Sequence, residues 1–504
     1  MSSTDAELAV EKGGVQSPDA LHHNSDVDLN ALGYTQELRR NRSLFTLLFQ
    51  TLAIAAIPYG EGGPLITAIY GGGQLAIFVG WLVVLVLDEC VALSLSELAS
   101  RYPTSAGPYY WSFQVAKRNK AVLSFITGWI WLIGNWTITL SVNFGFASLI
   151  SATVSMYHPD LVMNDWQLLL IFYGICLITL AICAFGNKLL PMVDTICAAW
   201  TALSILIILI ALSVKAEAGR HSAAYTFSAI GMISSMAEEV SDPAVKVPRA
   251  MSLCVPVGGT AGLFFIIPIC ATMPPLVDVL GAPSAQALPS IFHIVMGSPG
   301  GGLGLTFLVL GVTLFCSISI TVAASRCTWA FARDDAIPGA KLFAVVDSKL
   351  GVPVWALVLT TIVQMLLGLI NLGSSSAFTA FVSVGVIALA VSYAIPIGIS
   401  LLWNRRVEVS QARWNCGPVI GPIVNILAMV WIAFEVILFS MPTALPVTAI
   451  SMNYASVVFV GFGVISAFWY FAYARKGKFL TSSTLALYSN NSVVYKGPPA
   501  SDGL

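Results

Sequence analysis

Residues 53–70 read AIAAIPYGEGGPLITAIY, an apolar segment interrupted by two prolines, three glycines and a glutamate. Pro58 lacks the backbone donor that a continuous helix needs. Glycine lowers helix propensity, and three glycines follow: Gly60, Gly62 and Gly63. We therefore predict that a membrane-crossing helix breaks near residues 58–63. Because lipid cannot bond the freed carbonyls, such a break must line a cavity or be covered by protein.

Glu61 lies at the centre of this break, and an ionisable group inside a membrane span is a functional candidate. It would recognise an ammonium group of a solute or carry a coupling proton. The negative end of the preceding half-helix favours a cation here. Alternatively, the first span ends near Tyr59 and GEGG is an extracellular turn, which leaves PLITAIY without a use. The predicted solute site contains Tyr59, Gly60, Glu61, Gly62 and Gly63.

The composition outside this stretch indicates a membrane protein. Of 504 residues, 57% are apolar and 10% are charged, against roughly 25% charged residues in an average soluble domain. The first 43 residues are polar and have no apolar core for a signal peptidase, so we expect a cytosolic tail there. The nine cysteines form no C-x-x-C pair, and we expect small buried hydrophobes rather than a metal site or disulfides.

A helix needs about 20 apolar residues to cross a bilayer. On this criterion the sequence predicts an all-α membrane protein with twelve transmembrane helices, of which the sixth is the shortest. The predicted spans are 44–70, 74–97, 121–152, 166–186, 189–214, 222–238, 250–273, 302–332, 353–372, 377–402, 421–441 and 446–472.

The basic residues orient these spans. Twelve spans place all 24 Lys and Arg residues on one side except Lys215 and Arg220. The positive-inside rule therefore predicts that both termini are cytosolic. The resulting domains are an N-terminal tail (1–43), a transporter domain (44–472) and a C-terminal tail (473–504).

A broken first helix suggests inverted repeats, because transporters with discontinuous helices carry breaks at equivalent positions of two repeats. Repeat one would cover about 44–214, repeat two about 222–402, and peripheral spans 421–472. The sixth span would then be the partner of the first and would also line the solute site. It contains Gly231, Ser234 and Ser235 among small residues. Small residues also serve as a helix-packing face, which is the alternative interpretation.

Two segments resemble signatures of the amino acid/choline transporter family of the amino acid–polyamine–organocation superfamily. They are VALSLSELASRYPTSAGPYYW (91–111) and SSMAEEVSDPAVKVPRAM (234–251). The likeness is closest to fungal GABA and choline permeases and covers about residues 35–475. It implies a LeuT-like fold of five plus five inverted spans with two peripheral helices. It also implies uptake driven by a proton gradient, with GABA, other amino acids, choline or polyamines as solutes.

The resemblance also assigns residues to the cytosolic ends of spans two and six. At the end of span two these are Glu97, Pro103, Thr104 and Gly107. At the end of span six they are Glu238, Glu239, Pro243, Pro248 and Arg249. We interpret EEVSDPAVKVPRA as a helix exit into a charged loop whose glutamates are gate or structural residues. A solvated acidic face beside Lys246 and Arg249 is the alternative.

Four further acidic residues fall inside predicted spans. Asp88 and Glu89 are adjacent, about 100° apart on a helix, so they cannot face one narrow cavity equally. A proton relay and structural pairing are both open for them. Asp194 and Glu435 are close to span ends, where we expect interfacial hydration to suffice.

The sequence excludes several function classes. It contains no P-loop, no GxGxxG after a strand pattern and no metal-ligand cluster, so we expect no enzyme, no cofactor and no metal. A net charge of -1 indicates no nucleic-acid partner.

We predict a secondary transporter whose partners are a small nitrogen-containing solute, protons and the lipid bilayer. A nutrient sensor and an exporter of a small basic metabolite remain alternatives. We expect the plasma membrane, with the vacuolar membrane as the alternative; the sequence predicts no oligomeric state.

Overall fold

The computed structural model describes most of the predicted transporter domain and a few flanking residues. The described ranges are 29, 32, 34–38, 42–63, 65–70, 73–158, 160–161, 163–215, 242–275, 278–279, 281, 286–403, 412–442, 447–448, 452–472 and 479. Within them the chain is all-helical and forms no β-strand. The predicted all-α class is confirmed.

The described helices are numbered in chain order. They are α1 (Leu44–Ala55), α2 (Ile57–Gly62), α3 (Leu65–Tyr70), α4 (Gly73–Arg101), α5 (Pro108–Val115), α6 (Lys120–Tyr157), α7 (Asp165–Phe185), α8 (Leu190–Lys215), α9 (Pro243–Ala271), α10 (Ala287–Met296), α11 (Pro299–Arg333), α12 (Ala340–Phe343), α13 (Val354–Gly368), α14 (Ile370–Gly373), α15 (Ser375–Leu402), α16 (Ile420–Phe439) and α17 (Ala455–Ala472). A short 3-10 helix, Asn187–Leu189, precedes α8.

Eleven segments of the described residues are long and apolar enough to cross a membrane. They correspond to eleven of the twelve predicted spans. The remaining one, 222–238, lies outside the described residues, so the count of twelve stays a prediction. Two starts were predicted wrongly: α9 begins at Pro243 instead of 250, and α17 begins at Ala455 instead of 446.

One end of the helix bundle contains several basic residues and described residues from both tails. We call it the basic end and define it by Arg42, Arg101, Lys120 and Arg333. The Tyr34 hydroxyl donates to Asp334 Oδ2 at the end of α11, over 2.9 Å. The ring of Phe479 packs on Phe331 of the same helix, with centroids 6.2 Å apart. Residues before the first helix and after the last one therefore meet at this end.

The order of helix lengths in the first part of the chain recurs in the second part. The series of α4, α5 and α6 has 29, 8 and 38 residues. The series of α9, α10 and α11 has 29, 10 and 35 residues. This recurrence fits an inverted repeat. The repeat bounds themselves stay a prediction, because the predicted first span of repeat two lies outside the described residues.

The longest helices are central and the last helix is peripheral. In the most apolar stretch of each helix, the share of residues buried inside the protein is 67% for α11 and 61% for α6. For α17 it is only 11%. α6 packs against α11 and α15, and α4 packs along α9. Large apolar side chains on the outside of the bundle, such as Val86, Phe307 and Phe468, are exposed as lipid-facing residues would be.

Candidate functional site

The predicted break in the first span is present, and it lies at Ala56. α1 ends at Ala55, and Ala56 adopts the left-handed conformation with φ 43° and ψ 50°. Its N–H still donates to the Leu52 carbonyl, over 2.9 Å. The break was predicted near residues 58–63; the helix is interrupted before that range, at Ala56, and again at its end, at Gly63 between α2 and α3. Pro58 explains the shift, because proline fits the first turn of a helix and here begins α2 instead of interrupting it.

Three residues of the GEGG sequence are helical, although Gly60 is exposed. Gly60, Glu61 and Gly62 belong to α2, and Glu61 is only 7% exposed. The membrane-crossing segment runs from Leu44 to Gly62, so it ends three residues after Tyr59, and the chain is helical from Ile57 up to that point. The chain runs through two short helical pieces, α2 and α3, after the break.

The glycines of α2 allow close approach of neighbouring groups. A Cβ at Gly60 would be 2.7 Å from the Ala55 carbonyl oxygen, so only glycine lets the end of α1 come this near. A Cβ at Gly62 would be 2.4 Å from Cδ2 of Leu288 on α10. These contacts account for Gly60 and Gly62 as packing positions around the break.

Tyr59 faces the central helix α6. Its hydroxyl donates to the Val142 carbonyl, over 3.3 Å. A Cβ at Gly145 would be 2.0 Å from the same hydroxyl oxygen, so the glycine makes room for the phenol. The side chain is only partly buried.

Glu61 faces α4 and α9. A Cβ at Gly262 of α9 would be 2.4 Å from Glu61 Oε1 and 2.1 Å from the indole of Trp81 on α4. Within the described residues neither carboxyl oxygen of Glu61 has a hydrogen-bond partner.

Tyr59 and Glu61 therefore lie on opposite faces of α2. Residues two positions apart on a helix point about 200° away from each other, which agrees with the different neighbours of Tyr59 and Glu61. Both residues were predicted to belong to one solute site, and in the described structure they contact different helices, Tyr59 α6 and Glu61 α4 and α9. Every predicted site residue of the sixth span lies outside the described residues: Gly231, Ser234, Ser235, Glu238 and Glu239.

Glu97 is a buried structural residue at the basic end. Its Oε1 accepts a hydrogen bond from the Cys416 N–H, over 2.8 Å, which holds the segment before α16. Ser100, one turn on, donates to the Ala244 carbonyl of α9 over 3.1 Å and accepts from the Trp414 N–H over 3.0 Å. This part of the family signature thus joins α4, α9 and the entry to α16.

Pro103, Thr104 and Gly107 form the turn between α4 and α5. Thr104 is fully buried. Gly107 has φ 56° and ψ −131°, a conformation that favours glycine, and its N–H donates to the Thr104 carbonyl over 3.2 Å. Gly107 is therefore required by the backbone of this turn.

Pro248 and Arg249 lie inside α9 and not in a loop, which corrects the interpretation of PAVKVPRA as a helix exit. Pro243 occupies the first turn of α9, where its missing N–H costs nothing. The Pro248 carbonyl accepts a hydrogen bond from Ser96 of α4, over 3.2 Å, and Arg249 is exposed.

Asp88 and Glu89 have different surroundings, as their angular separation predicts. Asp88 is 4% exposed, and its Oδ1 accepts a hydrogen bond from Trp431 Nε1 of α16 over 2.8 Å. Glu89 is half-buried.

Glu435 follows Trp431 by one turn and is buried, so interfacial hydration does not account for it.

Asp194 is also not hydrated, which corrects a second expectation. Its Oδ2 forms a salt bridge with Arg42 Nη1 over 2.8 Å, and the side chains are 3% and 1% exposed. Asp194 Oδ1 accepts a hydrogen bond from Ser319 of α11 over 3.1 Å. The trio joins the entry of α1 to α8 and α11. A basic residue immediately before the first apolar run was the sequence signal that could have indicated it.

The N-terminal residues dock on the basic end. Asp334 Oδ2 accepts hydrogen bonds from Tyr34 and from Tyr109 of α5, the second over 2.8 Å. The Arg333 guanidinium stacks on the Tyr34 ring at 4.1 Å. Burial and the carboxylate of Asp334 raise the pKa of Tyr34 well above its usual value. This phenol therefore remains a hydrogen-bond donor at physiological pH.

Known proteins match most of this chain. The family model described as amino acid permease matches residues 43–224 and 218–463. The amino-acid permease BAT1 of Arabidopsis thaliana is 29% identical, over 91% of this chain and 97% of the relative. A choline transporter of Saccharomyces cerevisiae is 26% identical, over 90% and 85%. The polyamine transporter TPO5 of the same yeast is 29% identical, over 78% and 68%.

Proposed function

Because the chain belongs to the amino acid permease family and is a multi-pass membrane transporter of small molecules, we propose that it couples solute uptake to protons. The solute is a small nitrogen-containing molecule: an amino acid, GABA, choline or a polyamine. Transport follows alternating access around the break in the first span, in the plasma membrane. The relatives that act on amino acids, choline and polyamines support this choice of solute class.

The observation that carries the proposal is the break at Ala56 beside a buried carboxyl group. Helix breaks at membrane depth place backbone carbonyls and helix ends at a solute or ion site. The end of α1 brings the carbonyl of Ala55 against Gly60, and Tyr59 points from the break to α6. The solute would bind at this break, with Tyr59 on one face of α2 and Glu61 on the other; Gly231, Ser234 and Ser235 of the predicted sixth span stay candidate ligands. Glu61 supplies the charge for an ammonium group or for the coupling proton.

The proposal is tested by uptake of labelled choline, GABA and putrescine into cells that lack their own carriers and express this chain. We expect accumulation of one solute, faster at acidic than at neutral outer pH. Glu61→Gln should abolish this accumulation while surface expression stays at the wild-type level.

Two outcomes contradict the proposal. Uptake that does not respond to outer pH removes proton coupling. No uptake of any of the three solutes, with the protein shown to be at the cell surface, rejects the proposed import of these solutes and favours an exporter or a sensor.

A further inference from the structure

The Glu61 carboxyl packs into a space between α2, α4 and α9, here called the carboxyl pocket, and the residue is 7% exposed. Its Oε1 lies against Gly262 of α9, where even a single Cβ would approach to 2.4 Å. The indole of Trp81, which is fully buried, borders the carboxyl pocket on the other side, 2.1 Å from the same Cβ position. The carboxyl group thus occupies a space that is open only because residue 262 has no side chain.

The Trp81 indole is held in place by its contacts with α9. Trp81 Nε1 donates to the Gly259 carbonyl over 3.1 Å, which fixes the indole on α9. A Cβ at Gly259 would itself be 2.3 Å from Cδ2 of Leu85 on α4. The two glycines therefore let α4 approach α9 closely, and the indole is held between the helices.

No basic group among the described residues pairs with Glu61. The nearest basic residue along α9 is Arg249, about 20 Å from Gly262 at 1.5 Å per residue. The titratable and charged groups on α2 and the helices around it are Tyr59; Asp88, Glu89, Cys90, Glu97 and Arg101 on α4; Asp194, Cys197 and Lys215 on α8; Lys246, Arg249, Cys254 and Cys270 on α9; His293 on α10; and Cys316, Arg326, Cys327 and Arg333 on α11.

The space beside the carboxyl group and the charge of Glu61 together determine which ligand can bind here. A buried carboxylate without a hydrogen bond or a countercharge is costly, so it must be neutralised or exposed. On the side of α9 the space between the carboxyl oxygen and the helix does not admit even one Cβ, so an organic ammonium group cannot reach Oε1 from that side. A proton needs no additional volume.

We propose that the Glu61 carboxyl, packed against Gly262 and Trp81, carries the coupling proton on the face of α2 opposite Tyr59. The proton adds to the carboxylate from water on one side of the membrane and leaves to water on the other, and no other bond changes. Gly262 is the positioning residue that admits the carboxyl. This inference rests on the proposed function and assigns Glu61 to the proton instead of to the ammonium group of the solute.

The test uses the full chain in liposomes and labelled choline, GABA and putrescine, with the membrane potential held at zero. For a neutral solute moved with one proton, a pH gradient of about one unit supports about tenfold accumulation, since tenfold corresponds to about 1.4 kcal/mol. We expect Glu61→Gln to lower the accumulation ratio to about one, because no proton is moved. Exchange of labelled against unlabelled solute needs no net proton movement, so it should persist in Glu61→Gln while accumulation is lost.

Gly262→Ala provides a second variant, with Gly258→Ala as its matched control. The new methyl group at 262 would collide with Oε1 and the indole, so accumulation should fall as it does in Glu61→Gln. At Gly258 the nearest atom to a new Cβ is Cδ2 of Leu52, at 3.6 Å, an ordinary contact. Gly258→Ala should accumulate solute as the wild type does.

A readout without transport separates this inference from the proposed function. Infrared difference spectra of the purified wild type should show a carboxylic-acid C=O band that responds to pH and is absent in Glu61→Gln. If the band is present but no solute is transported, only the proposed function is rejected. Equal loss of exchange and accumulation in Glu61→Gln would make Glu61 a solute ligand and overturn the inference. So would a Glu61 that shows no carboxylic-acid band at any pH.

Discussion

The ion pair of Arg42 and Asp194 makes a residue-scale prediction. Asp194→Asn removes the negative charge that a buried arginine pairs with, and we expect a loss of about 3–5 kcal/mol in the free energy of unfolding. Exchanging the two residues, Arg42→Asp with Asp194→Arg, should recover part of this loss. Thermal unfolding of the purified protein measures both.

The control for this prediction is the pair of Arg413 and Asp242, whose side chains are 29% and 30% exposed. Asp242→Asn should cost at most about 1 kcal/mol, because exposed pairs contribute little. Equal losses for the two aspartates would contradict the role assigned to Asp194.

Residue roles were only partly predictable from the sequence. Glu61 was identified because a charge in an apolar span is conspicuous; the structure shows that it is buried, and its role stays a prediction. Its direction was not predictable, because the space that it fills is created by Gly262, far along the chain. Asp194 was misjudged for the same reason. Its position close to a span end suggested hydration, but its environment is set by Arg42 and Ser319, which are far from it in the chain.

At the scale of the element, Ala56 decides where the first span breaks. Its left-handed conformation costs a non-glycine residue about 1–2 kcal/mol. Ala56→Gly removes this strain, partly offset by the greater freedom of glycine in the unfolded chain, so we expect a gain of about 0–1 kcal/mol. Ala53→Gly, a buried position inside α1, should instead cost about 1 kcal/mol. Opposite signs of the two changes in thermal unfolding would support the break; a loss at both positions would argue for a continuous helix.

Helix bounds show what sequence patterns can and cannot determine. The predicted span 166–186 agrees closely with α7, because Asn164 caps a single apolar run. The start of α9 was missed because its first turns contain Lys246, Pro248 and Arg249, which resemble a loop in hydropathy. They are helical because α9 extends beyond the apolar region and bonds to Ser96 and Ser100 of α4.

At the scale of the whole molecule, the position of the tails bears on the number of spans. Tyr34 and Phe479 both contact the end of α11, so the chain enters and leaves the bundle at the basic end. An odd number of crossings would separate the tails. We therefore predict that tags at both termini are accessible from the cytosolic side only, as twelve spans and the positive-inside rule require.

Protease digestion of sealed and permeabilised vesicles checks this prediction. Both tags should resist digestion in vesicles sealed with the cytosolic face inside and become sensitive when the membrane is opened. A loop tag near Leu161, between α6 and α7, should show the opposite pattern. Tags on opposite sides would leave eleven crossings and reject the predicted sixth span.

The bond between Tyr34 and Asp334 joins residues that are 300 positions apart in the chain. A ribosome adds about 5–20 residues per second, so the N-terminal segment emerges roughly 15–60 s before its partner is synthesised. During that interval the tyrosine has no carboxylate to bind, and long-range contacts of this kind form late in folding. The basic end is therefore completed only after α11 has been inserted, which makes its closure a marker of nearly finished biogenesis.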